Sequence, residues 1–325
     1  MRLKKLFVLL LIMPIMLALI GCGDDKVEIG ILQYLEHNAL SEARRGFIDG
    51  LKEEGFVDGE NIKFKVLNPE TDAPTMTIMS KELVRSSDLI LAIATPAAIS
   101  VANEAKDQGK NTPILFTAVT DPVTASLIQS NEKPGGNVTG TNDMNPIKEQ
   151  IGLIEELGLE VEKLGILYTA SETNSEVQAN LAKAEAEKLG LEVVVKTIQS
   201  VSDLQLVANQ LASEVDVMYI PTDNVIAGAM TSLTDIIETH KVLTIVGESN
   251  MVHAGGGITY GVDYYRLGKQ TAKMAAKILK DGVKPADIPS VGLEEYSLVI
   301  NLKQLEAIGI EVPETLLDKA DEVIQ

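Results

Sequence analysis

Two apolar runs, each too short for a helix, bracket a segment of helical composition between residues 88 and 122. This triplet constrains the fold more than any other stretch. The runs read Asp88-Leu-Ile-Leu-Ala-Ile-Ala-Thr-Pro96 and Thr112-Pro-Ile-Leu-Phe-Thr-Ala-Val-Thr-Asp-Pro122. Continuous apolar runs of this kind predict strands buried on both faces of a parallel sheet, and the segment between them reads as the crossover helix of a βαβ unit. Each run ends in hydroxyls and a proline, at Thr95-Pro96 and at Thr120-Asp121-Pro122. Ligands of open α/β sheets sit beyond the carboxyl ends of the strands. Topology alone therefore sets Thr95, Thr120 and Asp121 at a crevice, as helix caps or as ligand contacts.

The same pattern returns in the second half of the chain. Gly165-Ile-Leu-Tyr168 repeats Gly30-Ile-Leu-Gln33, and each is followed by a polar loop, a helical segment and a glycine, Gly55 or Gly190. Residues 192–198 answer 61–67, residues 215–224 answer 87–96, and residues 241–249 answer 112–120. The offsets, 128 to 135 residues, define an internal repeat of one sheet. Further helices are predicted over 39–54, 75–86, 265–280 and 301–309, with a closing strand over 297–301. The Pro-Gly-Gly-Asn turn in 133–142 marks the chain's exit from the first copy, and 261–265 takes the matching place after the second. The helix over 265–280 is expected to pack back on the first lobe. The fold class is α/β: two Rossmann-like lobes with parallel sheets joined by a multi-strand hinge. Residues 27–141 with 262–285 make the first lobe, and 142–261 with 286–325 the second. Strand ends facing a shared cleft across such a hinge make a clamp.

The N-terminus begins Met1-Arg-Leu-Lys-Lys5 and continues as an apolar run over 6–20, shorter than the ~18–20 residues of a spanning helix. Residues 1–21 read as a signal peptide. The run closes on Leu19-Ile20-Gly21-Cys22, which resembles a bacterial lipobox, and Cys22 is the chain's single cysteine. Cys22 is the expected lipidation site, residues 22–26 a short tether, and the outer face of the bacterial membrane the location. Without Arg2, Lys4 and Lys5 the mature chain has 25 basic residues against 47 acidic ones, a net charge of −22. Such a surface repels nucleic acid and excludes it as a partner.

Catalytic motifs are missing from the sequence. It has no Gly-x-Ser-x-Gly elbow, no phosphate-binding Gly-x-x-x-x-Gly-Lys loop and no Cys/His metal spacing. The expectation is a monomeric binding protein, not an enzyme, with no metal and no cofactor. His37 lies in the crevice loop after the first strand, whereas His240 and His253 read as surface or core residues. Asp121, Asp223, Glu248 and Asp263 cluster at strand ends; as metal ligands they need supporting oxygens that the pattern does not single out, whereas one or two suffice as counter-charges for an ammonium group. Tyr34 and Tyr168 fall at the ends of equivalent strands, to stack a flat ligand or to pack under loops. Ser171 and Asn174 open the helix of the second copy, as caps or polar contacts.

Taken together, Gly-Ile-Leu-Gln-Tyr-x-Glu-His at 30–37, Ala-Thr-Pro-Ala-Ala at 94–98, Phe-Thr-Ala-Val-Thr-Asp-Pro-Val at 116–123 and Pro-Gly-Gly-Asn-Val-Thr-Gly-Thr at 134–141 resemble one family. Pro-Thr-Asp-Asn at 221–224, Gly-Glu-Ser at 247–249 and Tyr-Gly-Val-Asp-Tyr-Tyr-x-Leu-Gly at 260–268 belong with them. They resemble the solute-binding lipoproteins of ABC importers, in the subgroup similar to tryptophan and other aromatic amino-acid binders. The resemblance implies a type I periplasmic-binding fold and capture of a small ligand, an aromatic amino acid, for a permease and its ATPase. By fold position it implies that Thr95, the Ala97 backbone and Thr120 hold the ligand carboxylate. It implies that Glu248, with Asp223 as rival, takes the ammonium. Gln33, Asn224 and Ser249 complete the expected ligand set. A sugar or nucleoside receptor of the same fold, or a surface-anchored adhesin, is the other reading.

Overall fold

The computed structural model describes residues 26–325, so the expected leader and Cys22 lie outside the described residues. The first lobe opens with β1 (Val27–Gln33), α1 (Asn38–Glu53), β2 (Ile62–Leu67), α2 (Ala73–Ser86), β3 (Leu89–Ile93), α3 (Thr95–Asp107), β4 (Ile114–Val119) and β5 (Val138–Asn142). The chain then crosses into α4 (Ile147–Glu156), β6 (Lys163–Thr169), α5 (Thr173–Lys188), β7 (Glu192–Ile198), α6 (Leu204–Ala212), β8 (Val217–Ile220), α7 (Asn224–Ala229), α8 (Thr234–His240), β9 (Leu243–Val246), α9 (Ser249–His253) and β10 (Ile258–Gly261). It returns through α10 (Tyr264–Asp281) and crosses a third time to β11 (Ser297–Asn301), α11 (Leu302–Ala307), α12 (Glu314–Leu317) and β12 (Glu322–Ile324).

Two sheets result. One has the order β2-β1-β3-β4-β5, the other β7-β6-β8-β9-β10-β11-β12. The first five strands of each follow the same order, which is the internal repeat in three dimensions. Every pair is parallel except β10–β11, where the closing strand runs antiparallel. Strands β3 and β4 are buried along their whole length, as apolar runs covered by helices on both faces should be. Each lobe has its own core, centred on Phe47, Ile90 and Phe116 in the first and on Ile166, Tyr219 and Ile245 in the second.

One sequence expectation shifts. The 133–142 stretch is only half a turn, because Val138–Asn142 is the fifth strand of the first sheet and the crossing follows it. The Pro-Gly-Gly-Asn turn thus leads into a strand, one whose two threonines, at 139 and 141, gave a weak apolar signal. The short β12 and the helix α4 were not anticipated.

The helix α10 packs on α1 as expected, and at close range. A Cβ placed on Gly46 would sit 2.0 Å from the carbonyl oxygen of Tyr265, and one on Gly268 would sit 2.0 Å from that of Ala43. Glycine at these positions lets the two backbones touch, fixing the returning helix to the first lobe. Ion pairs Glu53–Lys269 (2.8 Å) and Glu54–Lys280 (3.0 Å) flank the crossing. Among the described residues no helix is long and apolar enough to cross a membrane.

Candidate functional site

The carboxyl ends of β1, β3 and β4 face those of β6, β8 and β9 across the cleft between the lobes. On the first lobe, β3 ends at Ala94, whose φ of +81° is strained for a residue with a Cβ. The turn starts α3 abruptly at Thr95, with Pro96 in its first turn. The first turn of a helix leaves backbone N–H groups without intrahelical partners, a ready site for a carboxylate. Thr95 is 3% exposed, and its hydroxyl is buried with no hydrogen-bond partner among the described residues. Ala97 is buried in the same turn. On β4 a bulge between Phe116 and Val119, with Ala118 at φ +57°, redirects the strand end toward Thr120.

On the second lobe the central feature is Glu172, in the loop between β6 and α5 and fully buried. Its Oε2 accepts from Asn174 Nδ2 (3.0 Å), from the Asn224 backbone N–H (3.1 Å) and from Asn224 Nδ2, while among the described residues Oε1 accepts only from the Val225 N–H (3.1 Å). Burial, and then the neighbouring Asp223 charge, push the Glu172 carboxyl well above the usual carboxylate range. Asp223 is raised by burial as well. Its oxygens are taken by the Thr169 N–H (2.6 Å), the Thr169 hydroxyl (2.8 Å) and the Ile226 N–H (2.9 Å), the last capping α7. Tyr34 is buried just after β1, and its hydroxyl is held protonated by burial, Glu172 and Asp223. One aromatic ring and two acids from opposite lobes therefore share the cleft.

The lobes are closed on one another. His37 Nε2 lies 3.2 Å from Asn224 Oδ1, and Gln178 of α5 donates to Thr120 of the first lobe (3.2 Å). Thr120 donates in turn to Asp143 on the first crossing (3.2 Å), and Asp143 accepts from the Tyr264 hydroxyl at the second crossing (2.7 Å). Burial raises the Asp143 carboxyl, which these two hydroxyls partly offset. Asn145 adds a bond to Thr222 (2.6 Å), joining crossing to second lobe. Two cavities run along the seam on either side of Ile99. One, about 400 Å³, is lined by Thr95, Asp121, Thr173, Asn174 and Val177. The other, about 330 Å³, is lined by Met76, Pro96, Ile99, Ser171 and Thr173.

The structure brings some of the sequence candidates together and separates others. Thr95, Asp121 and Asn174 share one cavity, with Ser171 in the adjoining one. Among the described residues, buried Asn174 Oδ1 and Gln33 Oε1 have no hydrogen-bond partner, like the Thr95 hydroxyl. Thr120, expected to hold a carboxylate, has its hydroxyl committed to Gln178 and Asp143. Asp121 accepts from Val123 N–H, Thr124 N–H and the Thr124 hydroxyl in its own turn. Glu248 caps α9 through the Asn250 N–H (2.7 Å), and burial pushes its carboxyl up to about 7. Ser249 and Asp263 line a groove on the hinge side with Tyr264 and Tyr265, and Asp263 caps α10 through the Arg266 N–H. Tyr168 takes the register place of Gln33, within β6, so its ring is not the counterpart of Tyr34, which follows β1. Among the described residues no group of three or more His, Cys, Asp or Glu side chains could hold a metal ion.

Sequence reasoning missed Glu172, Gln178 and Asp143. Only Glu172 had a signal: it stands three residues beyond the end of β6, as Glu36 stands three beyond β1. Glu36 is exposed and binds Ser41 (2.7 Å) and Arg44, whereas Glu172 is buried.

Two α/β lobes closed over a cleft on a triple crossing define a solute-binding protein of the periplasmic-binding type. The chain belongs to the ABC transporter substrate binding protein family, whose pattern matches residues 28–324. That family has a binding role outside the cytoplasm. The chain is 38% identical over 291 residues to the tyrosine-binding protein of Clostridioides difficile (strain R20291), covering 89% of this chain and 83% of that one. Among solved structures it resembles an ABC domain in complex with L-Trp from Streptococcus pneumonia. There the TM-score is 0.87 and the identity 37%, with 92% of this chain and 100% of that one covered. It also resembles the ligand-free, open structure of a substrate-binding protein with adhesive properties from Clostridium difficile. In that case the TM-score is 0.70 and the identity 36%, with 92% and 99% covered. Nearly equal identities with unequal TM-scores accord with the closed cleft seen here.

Proposed function

We propose that the protein captures an aromatic L-amino acid, tyrosine or tryptophan, between its lobes and hands it to the permease and ATPase of an ABC importer. The supporting relatives are the tyrosine-binding protein and the L-Trp complex. The observation that carries the reading is a pair of buried sites across one cleft. The partnerless Thr95 hydroxyl stands at the N-terminus of α3, and Glu172, whose Oε1 has a single donor, stands opposite. The α3 terminus and Thr95 suit a carboxylate, Glu172 suits an ammonium group, and Tyr34 offers a ring face. Glu172 replaces Glu248 and Asp223 as the ammonium partner, because those two carboxylates cap α9 and α7.

Attachment to the outer face of the membrane by lipidated Cys22 belongs to the same proposal. A single acyl chain binds membranes with only about 10⁴ M⁻¹, so firm anchoring requires two or more chains on that residue. A ligand at 100 times its Kd raises stability by about 2.7 kcal/mol. Thermal melts with the common amino acids, ribose, galactose and nucleosides should therefore show shifts with tyrosine or tryptophan. Shifts with sugars or nucleosides alone would overturn the reading. An adhesive role is the second reading, favoured by the adhesive relative. It predicts cell attachment that survives Glu172→Gln.

A further inference from the structure

The loop that follows β1 reaches across the cleft to the first turn of α7, and there it meets Asn224, a side chain that also holds Glu172. Asn224 presents both its backbone N–H and its Nδ2 to Glu172 Oε2. This fixes the amide: the nitrogen side faces Glu172, so Oδ1 faces the first lobe, where His37 Nε2 lies 3.2 Å away. An amide oxygen only accepts, so His37 must donate through Nε2–H. The loop is braced for this contact. Glu36 accepts from Gln33 Nε2 (3.1 Å), the Ser41 hydroxyl (2.7 Å) and Arg44, and Leu35 lies against Gly228 of α7, 3.4 Å from where a Cβ would stand.

We propose that His37 is a closure latch which reads the ammonium site through Asn224: an amine on Glu172 orders the acid, the acid orders Asn224, and the ordered Asn224 accepts the first lobe's histidine. The inference deepens the function proposed above and rests on it. His37 is a positioning residue here, since it acts on the ligand through Asn224 and Glu172. In the open form the ring is released to solvent and titrates near 6.5, the ordinary histidine value. In the closed form burial pulls it down to about 4, against the Asn224 bond and the Glu36 charge. The charge acting on it is that of Glu36 on its own loop, which Arg44 pairs (3.4 Å), while across the seam the ring faces the Asn224 amide with the buried Glu172 behind it. Closure favours the neutral ring, so affinity falls as pH drops through about 6.5, by about tenfold between pH 7.5 and 5.5.

The test uses the intact protein and radiolabelled L-tyrosine or L-tryptophan. Losing one interlobe hydrogen bond in His37→Ala should speed dissociation about fivefold to tenfold at pH 7.5 with little change in association. His37→Gln retains an N–H donor without a titration, so it should restore the dissociation rate at pH 7.5. It should also lack the histidine's share of the acid weakening, so that the parent-to-variant ratio of Kd changes about tenfold by pH 5.5. A His37→Gln pH profile parallel to the parent's, or an unchanged rate in His37→Ala, would overturn the latch. If the parent binds neither amino acid, the ligand reading has failed on its own. The latch is then read by small-angle scattering of the protein with the ligand it retains from cells, from pH 7.5 to 5.5, where the parent should open and His37→Gln should not. Equal responses in that experiment overturn the latch as well.

Discussion

Replacing Glu172 by glutamine is the perturbation that separates a ligand site from a capping network. The carboxylate is fully buried, three donors hold Oε2 and one holds Oε1. An ammonium group brought to Oε1 on closure is desolvated with it. Removing one member of such a buried pair costs about 3–5 kcal/mol. At about 1.4 kcal/mol per tenfold, affinity for tyrosine or tryptophan should fall by roughly a hundredfold to a few thousandfold. Glutamine also turns an N–H toward the Val225 N–H, which adds to the loss. Calorimetric titration reads the change, with Glu248→Gln as control. Glu248 caps α9 from its own lobe, and neutralising a cap costs about 1 kcal/mol, within tenfold. Glu172→Gln binding within tenfold of the parent would refute the ammonium site, whatever the ligand.

Four other outcomes follow. Because burial and Asp223 raise the Glu172 carboxyl, amine binding near neutral pH should expel a proton, and the calorimetric enthalpy should vary with the ionisation heat of the buffer; buffer-independent enthalpy would contradict the pairing. Glu248 holds its proton up to about 7 in the folded protein, above its unfolded range, so its contribution to stability is fully present at acid pH and lost as pH rises toward and through 7; melts from pH 5 to 8 should be flatter for Glu248→Gln. Gly268→Ala drives a Cβ to 2.0 Å from the Ala43 carbonyl oxygen and should lower stability by about 1–3 kcal/mol or more in urea unfolding; parental stability would mean that the two helices separate freely. Cys22→Ala should abolish processing and lipid labelling, and a mature, labelled product would remove the anchor.

The fold was legible because its central strands are buried on both faces. Runs such as 89–93 and 114–119 have one polar position between them, Thr117, too few to confuse them with amphipathic helices. The repeat was legible for the same reason, since each copy places its glycines and apolar runs at matching offsets. Strand β5 was not, because Val138-Thr-Gly-Thr-Asn142 reads as a turn until the sheet supplies its neighbours. The site was legible as a set of strand ends and illegible in its assignments. Asp223 and Glu172 are both acids near strand ends, and the sequence does not show that one spends its oxygens on Thr169 and Ile226 while the other keeps one with a single donor. Thr120 likewise differs from Thr95 only through Gln178 and Asp143, contributed by α5 and by the first crossing.

Native mass spectrometry of the protein purified from cells tests the central claim most directly, because a closed cleft with buried polar atoms on both lobes should retain its ligand. The mass increment should be that of an aromatic amino acid, removable by dialysis, restored by adding L-tyrosine or L-tryptophan, and absent from Glu172→Gln. A sugar or nucleoside mass, or an amino acid retained equally by Glu172→Gln, would contradict the account.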